Sequence, residues 1–81
     1  MKNVDTISPA QSRAARGLLS ITQTDLAQRA DLGQSTVIDF ERERRVVSDQ
    51  AIAAIRAALE AAGVVFLPEN GNGPGVALRK G

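Results

Sequence analysis

The stretch that most constrains this chain is Gln23 to Glu41, QTDLAQRADLGQSTVIDFE, where helical patterning stops once and resumes within three residues. Thr22 supplies a start signal, because its hydroxyl can accept from the free N–H groups of a first turn. Asp25 three residues on completes a capping-box-like pattern at the positive end of the helix dipole. Leu26, Ala27 and Ala30 then recur at helical spacing, giving a narrow apolar stripe about two turns long. The break falls at Asp31-Leu32-Gly33. Asp tolerates positive φ, Leu32 is an apolar plug, and Gly33 can open a new helix with little strain. From Gln34 the apolar positions are Val37 and Phe40 with Ile38 beside them, while Gln34, Ser35 and Asp39 point elsewhere. The stretch therefore predicts two short helices joined by a tight turn, the second with one buried side and one polar side.

The flanks extend this pattern. Ser8-Pro9 is a helix start, a capping hydroxyl followed by proline where its missing N–H costs nothing. The helix it opens is expected to reach Leu19 and to carry Ala10, Ala14, Leu18 and Leu19 on or near one side, with Gly17 weakening it slightly. Residues 1–7 are expected to form a flexible tail, although Ile7 is placed to act as a hydrophobic staple. After Arg42, Arg44 and Arg45, Val46 and Val47 are expected to close over the core, and Ser48-Asp49 starts another helix. Ile52, Ile55 and Leu59 recur in it among seven alanines before Gly63 ends it. That much alanine fits either close approach of a neighbouring helix or simply high helix propensity.

The last eighteen residues change character. Val64-Val65-Phe66-Leu67 is β-rich, Pro68 to Gly75 is a glycine- and proline-rich loop, and Val76-Ala77-Leu78-Arg79 suits a second strand. An isolated hairpin is marginal in water and its edge invites aggregation. Two arrangements would relieve this, folding back on its own helices or pairing with a second subunit, and the second is the favoured expectation.

Composition narrows the function classes. With 81 residues, 43% hydrophobic and 23% charged, the chain suits one small globular domain. It has no cysteine and no histidine, which removes disulfides, thiol chemistry and the usual proton shuttle. No nucleophile–base pair, carboxylate dyad or phosphate loop is visible, and Gly71, Gly73 and Gly75 lack a strand–loop–helix context. No enzyme activity, metal or cofactor is expected. No apolar run could span a bilayer or serve as a signal peptide, so the expectation is a cytoplasmic protein without membrane contact. A net charge of +1 says little about nucleic acid, but three of the ten basic residues crowd into Arg42 to Arg45.

Arg13, Arg16, Thr22-Gln23, Leu26-Ala27, Leu32-Gly33-Gln34-Ser35-Thr36, Val37 and Phe40-Glu41-Arg42 together resemble the Xre/Cro family of helix-turn-helix regulators, which includes the lambdoid phage repressors. The resemblance covers residues 9–62. It implies a mainly α fold, a four-helix lambda-repressor-like helix-turn-helix domain over 8–63; the hairpin of 64–81, expected as a dimerisation element, rests on its own residues and lies outside the resemblance. It also implies that Gln34 contacts an adenine, supported by Gln23, and a Gln amide does match the N6 and N7 edge of that base. Ser35, Ile38 and Asp39 would share the base-contacting face. Arg13, Thr22, Gln23, Thr36, Arg42, Arg44 and Arg45 would contact or support contact with the DNA backbone, and Arg16 would pair with Glu41. Two positions depart from the family pattern, since Asp31 and Glu43 stand where glycine is common.

These expectations describe a dimeric repressor on an inverted-repeat operator in double-stranded DNA, with Val64, Val65, Phe66, Leu67, Val76 and Leu78 at the dimer contact. The competing expectation is a protein-interaction module on the same fold, such as an antiactivator or an antitoxin. The low net charge, Asp39, Glu43 and the terminal β segment favour it.

Overall fold

The computed structural model describes residues 6–68, 71 and 73–80. Most of the tail (1–5), three positions of the hairpin loop (69, 70 and 72) and the last residue lie outside the described residues. Four helices are followed by two strands: α1 (Pro9–Leu19), α2 (Gln23–Ala30), α3 (Gln34–Glu41), α4 (Asp49–Ala61), β1 (Val64–Leu67) and β2 (Gly75–Leu78).

Local chemistry sets the helix ends. Ser8 Oγ accepts from the Gln11 N–H at 3.0 Å while Gln11 Oε1 accepts from the Ser8 N–H at 2.9 Å, a complete capping box. Thr22 and Asp25 form the same reciprocal pair at 3.0 and 3.1 Å. Ser48 Oγ accepts from the Ala51 N–H. Gly33 at the head of α3 offers no side-chain cap.

The first three helices close with one device. Ser20, Asp31 and Glu43 adopt φ near 56–58°, and the next residue's N–H returns to a carbonyl five positions back. These are Schellman turns, which usually place glycine at the left-handed position because a Cβ there costs about 1–2 kcal/mol.

The helices pack around Leu26, Val37, Ile55, Leu59 and Val64, all essentially inaccessible to water. Ile7 is buried too, so the core begins before the first cap rather than after the tail. Ala51 and Ala58 of α4 are also buried, while its other alanines are half-buried or exposed.

The buried face of α1 differs from the apolar one expected. Ala10, Ala14 and Leu18 are exposed, and the inward stripe is Gln11, Ser12 and Ala15 with half-buried Arg16 and Leu19. Interior hydrogen bonds to Gln11 and Ser12 offset their desolvation, so polarity does not keep them outside. Val46 likewise does not close over the core. It is 95% exposed and Val47 alone is buried.

The strands pair antiparallel, Val64 opposite Leu78 and Phe66 opposite Val76. This hairpin folds back on its own chain. Gln11 Nε2 donates to the Gly75 carbonyl at 3.1 Å, tying β2 to α1. The Arg79 N–H donates to the Gly63 carbonyl at 2.7 Å, and the Arg56 guanidinium lies 5.3 Å from the Phe66 ring centre, a cation–π distance. Of the residues expected at a dimer contact, Val64 belongs to the core, and Phe66 and Val76 pack against it. Docking the hairpin on α1 and α4 already removes that apolar surface from water. Val65, Leu67 and Leu78 remain exposed.

Candidate nucleic-acid interface

The site is α3 and what holds it. Its eight residues divide into an inward set, Val37, Phe40 and Glu41, an outward stripe of Gln34, Ser35, Ile38 and Asp39, and Thr36 on the flank between them. Gln34 and Ser35 are exposed in the first turn, and Ile38 and Asp39 are half-buried one turn later. Positions i, i+1, i+4 and i+5 form a continuous band on a helix, so these four side chains lie side by side.

Behind the band, Glu41 anchors the helix. Its side chain is inaccessible to water and is met by Arg16 at 2.7 Å. Arg16 Nε and Nη2 form a fork on the carboxylate, Ser12 Oγ donates to Oε2 at 2.5 Å and Gln23 Nε2 donates to Oε1 at 3.1 Å. Arg16 also donates through Nη1 to the Ile21 carbonyl. Arg13 Nη1 donates to the Glu41 main-chain carbonyl, satisfying an orphan acceptor at the end of α3. One carboxylate thereby joins α1, α2 and α3.

Burial alone would push the Glu41 carboxyl up. The hydrogen bonds from Arg16, Ser12 and Gln23, with the Arg16 charge, outweigh it and hold the carboxyl below its ordinary range. No buried side-chain N or O among the described residues lacks a partner.

Three of the expected backbone-contacting or supporting residues thus have structural roles here. Thr22 caps α2, Arg13 caps α3, and Gln23 hydrogen-bonds Glu41 with no bond to Gln34. Sequence reading missed Gln11 and Ser12. The Ser8-x-x-Gln11 spacing was a visible signal for the first, whereas nothing local marked Ser12 as a buried carboxylate partner.

The C-terminal end of α3 carries the remaining charge. Arg42, Glu43 and Arg44 are exposed, and the Glu43 turn returns the chain so that Arg45 Nε donates to Asp39 Oδ2 at 2.8 Å. Asp39, expected at a base, is therefore already paired, as is Arg45. Thr36 is half-buried on the flank of the helix. At the other end, the Gln34 and Ser35 N–H groups sit ahead of the first intrahelical bond, donated by Thr36 to the Gly33 carbonyl at 3.1 Å. Uncapped N–H groups at the positive end of a helix dipole suit a phosphate.

Among the described residues no group of three His, Cys, Asp or Glu side chains could hold a metal ion. None of the described helices is long and apolar enough to cross a membrane.

Comparison with known proteins agrees with this geometry. A family model described as helix-turn-helix matches residues 13–62, which spans α1 to α4 apart from the first turn and leaves the hairpin outside. No curated protein matches the chain. With more than half of its length matched and its four helices arranged around α2 and α3, the chain belongs to the Xre/lambda-repressor-like helix-turn-helix family of DNA-binding transcription regulators.

Proposed function

We propose that the protein is a dimeric repressor that reads an inverted-repeat operator through the outward face of α3. The observation that carries this reading is the division of that helix. A buried carboxylate knot fixes its back, while Gln34, Ser35, Ile38 and Asp39, the last paired with Arg45, form an outward band beside an uncapped N-terminus. Gln34 at the first helical position can present its amide to an adenine edge, and Arg42 and Arg44 are exposed for phosphate contact.

One such helix spans only a few base pairs, so specificity calls for two. A two-fold pair would set its recognition helices about 34 Å apart on one side of the duplex. Val65 and Leu67, which alternate onto the outer face of β1, supply the apolar surface for that pairing.

The protein-partner reading draws on the same exposed hairpin residues and on Glu43 beside the recognition helix. Footprinting on the DNA upstream of the chain's own coding sequence, repeated across a salt series, separates the two. A protected inverted repeat whose affinity falls steeply with salt supports the operator reading. Absent protection, with weak binding indifferent to sequence, favours a protein partner.

A further inference from the structure

The pair between Asp39 and Arg45 has no counterpart in the framework of the fold. Arg45 lies in the loop beyond α3, six residues after Asp39, and its side chain is 52% exposed. The loop is nevertheless closed. The Arg44 N–H donates to the Asp39 carbonyl at 2.9 Å, and Glu43 holds the left-handed turn that makes this possible. The next residue then places its guanidinium against the Asp39 carboxylate, Nε to Oδ2 at 2.8 Å. Arg45 makes no other hydrogen bond among the described residues, so both Nη groups keep their donors.

A cation that serves only to neutralise phosphate works best with its full charge, whereas pairing with a carboxylate cancels most of that charge at a distance. What the pairing preserves is direction. With Nε held by Asp39, the two Nη groups keep their donors beside the outward band of α3, and a guanidinium can offer such donors in parallel. Two parallel donors match the O6 and N7 acceptors of guanine.

We infer that Arg45 is a base-reading residue for a guanine in the operator and that Asp39 is its positioning residue rather than a base contact of its own. The inference rests on the operator reading above and adds a residue outside the helix to the recognition surface.

It predicts an effect opposite in sign to simple electrostatics. Removing a negative charge beside DNA should tighten binding, yet Asp39→Asn is expected to weaken the specific complex about tenfold while random DNA is bound no more weakly than before. The experiment is selection of binding sites from random duplexes with the full chain, then titration of wild type, D39N, R45Q and the double variant against the selected site and random DNA. Thermal unfolding of each variant checks that it is folded.

Loss of preference at the same G·C pair in D39N and R45Q, with the double variant no weaker than R45Q alone, supports the inference. Tighter binding of the selected site by D39N overturns it, as does uniform weakening of R45Q on all DNA with a shallower salt slope, which marks a phosphate contact. If wild type selects a sequence and both variants keep its full preference, this inference alone falls. If wild type selects none, the operator reading falls with it.

Discussion

Two carboxylates two residues apart on α3, Glu41 and Asp39, each meet an arginine at nearly the same distance, 2.7 and 2.8 Å. Distance therefore says little about what each pair contributes. Glu41 is sealed from water and takes donors from Arg16, Ser12 and Gln23, whereas Asp39 keeps some exposure and takes one donor from an arginine that is half in solvent. Removing a partner from the first leaves charge stranded in the interior, while water rescues what is left of the second. The same helix thus has a back that holds the fold and a front left adjustable for a ligand.

The largest expected effect separates these two at once. Glu41→Gln keeps the shape but leaves Arg16 without its counter-charge, and we expect a loss of about 3–5 kcal/mol in chemical denaturation. At about 4–8 °C per kcal/mol for a domain of this size, that lowers Tm by more than 10 °C. A loss under 1 kcal/mol would mean that the knot is no more important than a surface pair.

Acid should act through the same group. The carboxyl of Glu41 sits below its ordinary range when folded, so its stabilisation is fully present above the unfolded pKa and is lost as pH falls through the folded value. Stability measured from pH 7 downward should therefore decline below about pH 4.5, with a smaller decline in E41Q. Equal acid sensitivity in both proteins would assign the effect to other carboxylates.

In the loop that closes the pair of Asp39 and Arg45 lies Glu43, at φ 56° in the Schellman turn. Glu43→Gly should relieve the left-handed strain and stabilise the protein by about 1 kcal/mol, raising Tm by several degrees. A lower Tm would show that the glutamate side chain contributes something its exposed position does not reveal. The smallest effect on folding is expected at the front. Asp39→Asn should change stability by less than about 1 kcal/mol whatever it does to binding, and a larger loss would make that pair part of the framework.

The sequence was most readable where chemistry is local. Ser8-Pro9, Thr22 with Asp25, and Ser48-Asp49 announce helix starts that lie where expected, because a capping hydroxyl acts within three residues of itself. The inward and outward sides of α3 were legible for the same reason, from the spacing of Val37 and Phe40. The pairing of Arg16 with Glu41 came from family resemblance, since residues 25 positions apart carry no sign of contact in their spacing.

Failures lie where tertiary context decides. Counting apolar residues favoured Ala10, Ala14 and Leu18 as the buried face of α1, but the interior of this fold needs donors for Glu41 and an anchor for β2. Ser12 and Gln11 fill those places. The strands of the hairpin were visible, yet their destination was not. Val64 is as buried as any helical core residue because α1 and α4 form a surface that no pattern within residues 64–81 describes. The partners of Asp39 were hidden as well, because a left-handed glutamate turned the loop back where glycine would have been the usual signal.

The most direct test of the account is Gln34→Ala, titrated at fixed salt against a selected operator and against random duplex of equal length. The side chain is exposed and makes no hydrogen bond among the described residues, so folding should be unaffected. If the front of α3 reads bases, affinity for the operator falls by about 1–3 kcal/mol while random DNA is bound as before. Equal losses on both duplexes, or no loss on either, would contradict base reading by this helix.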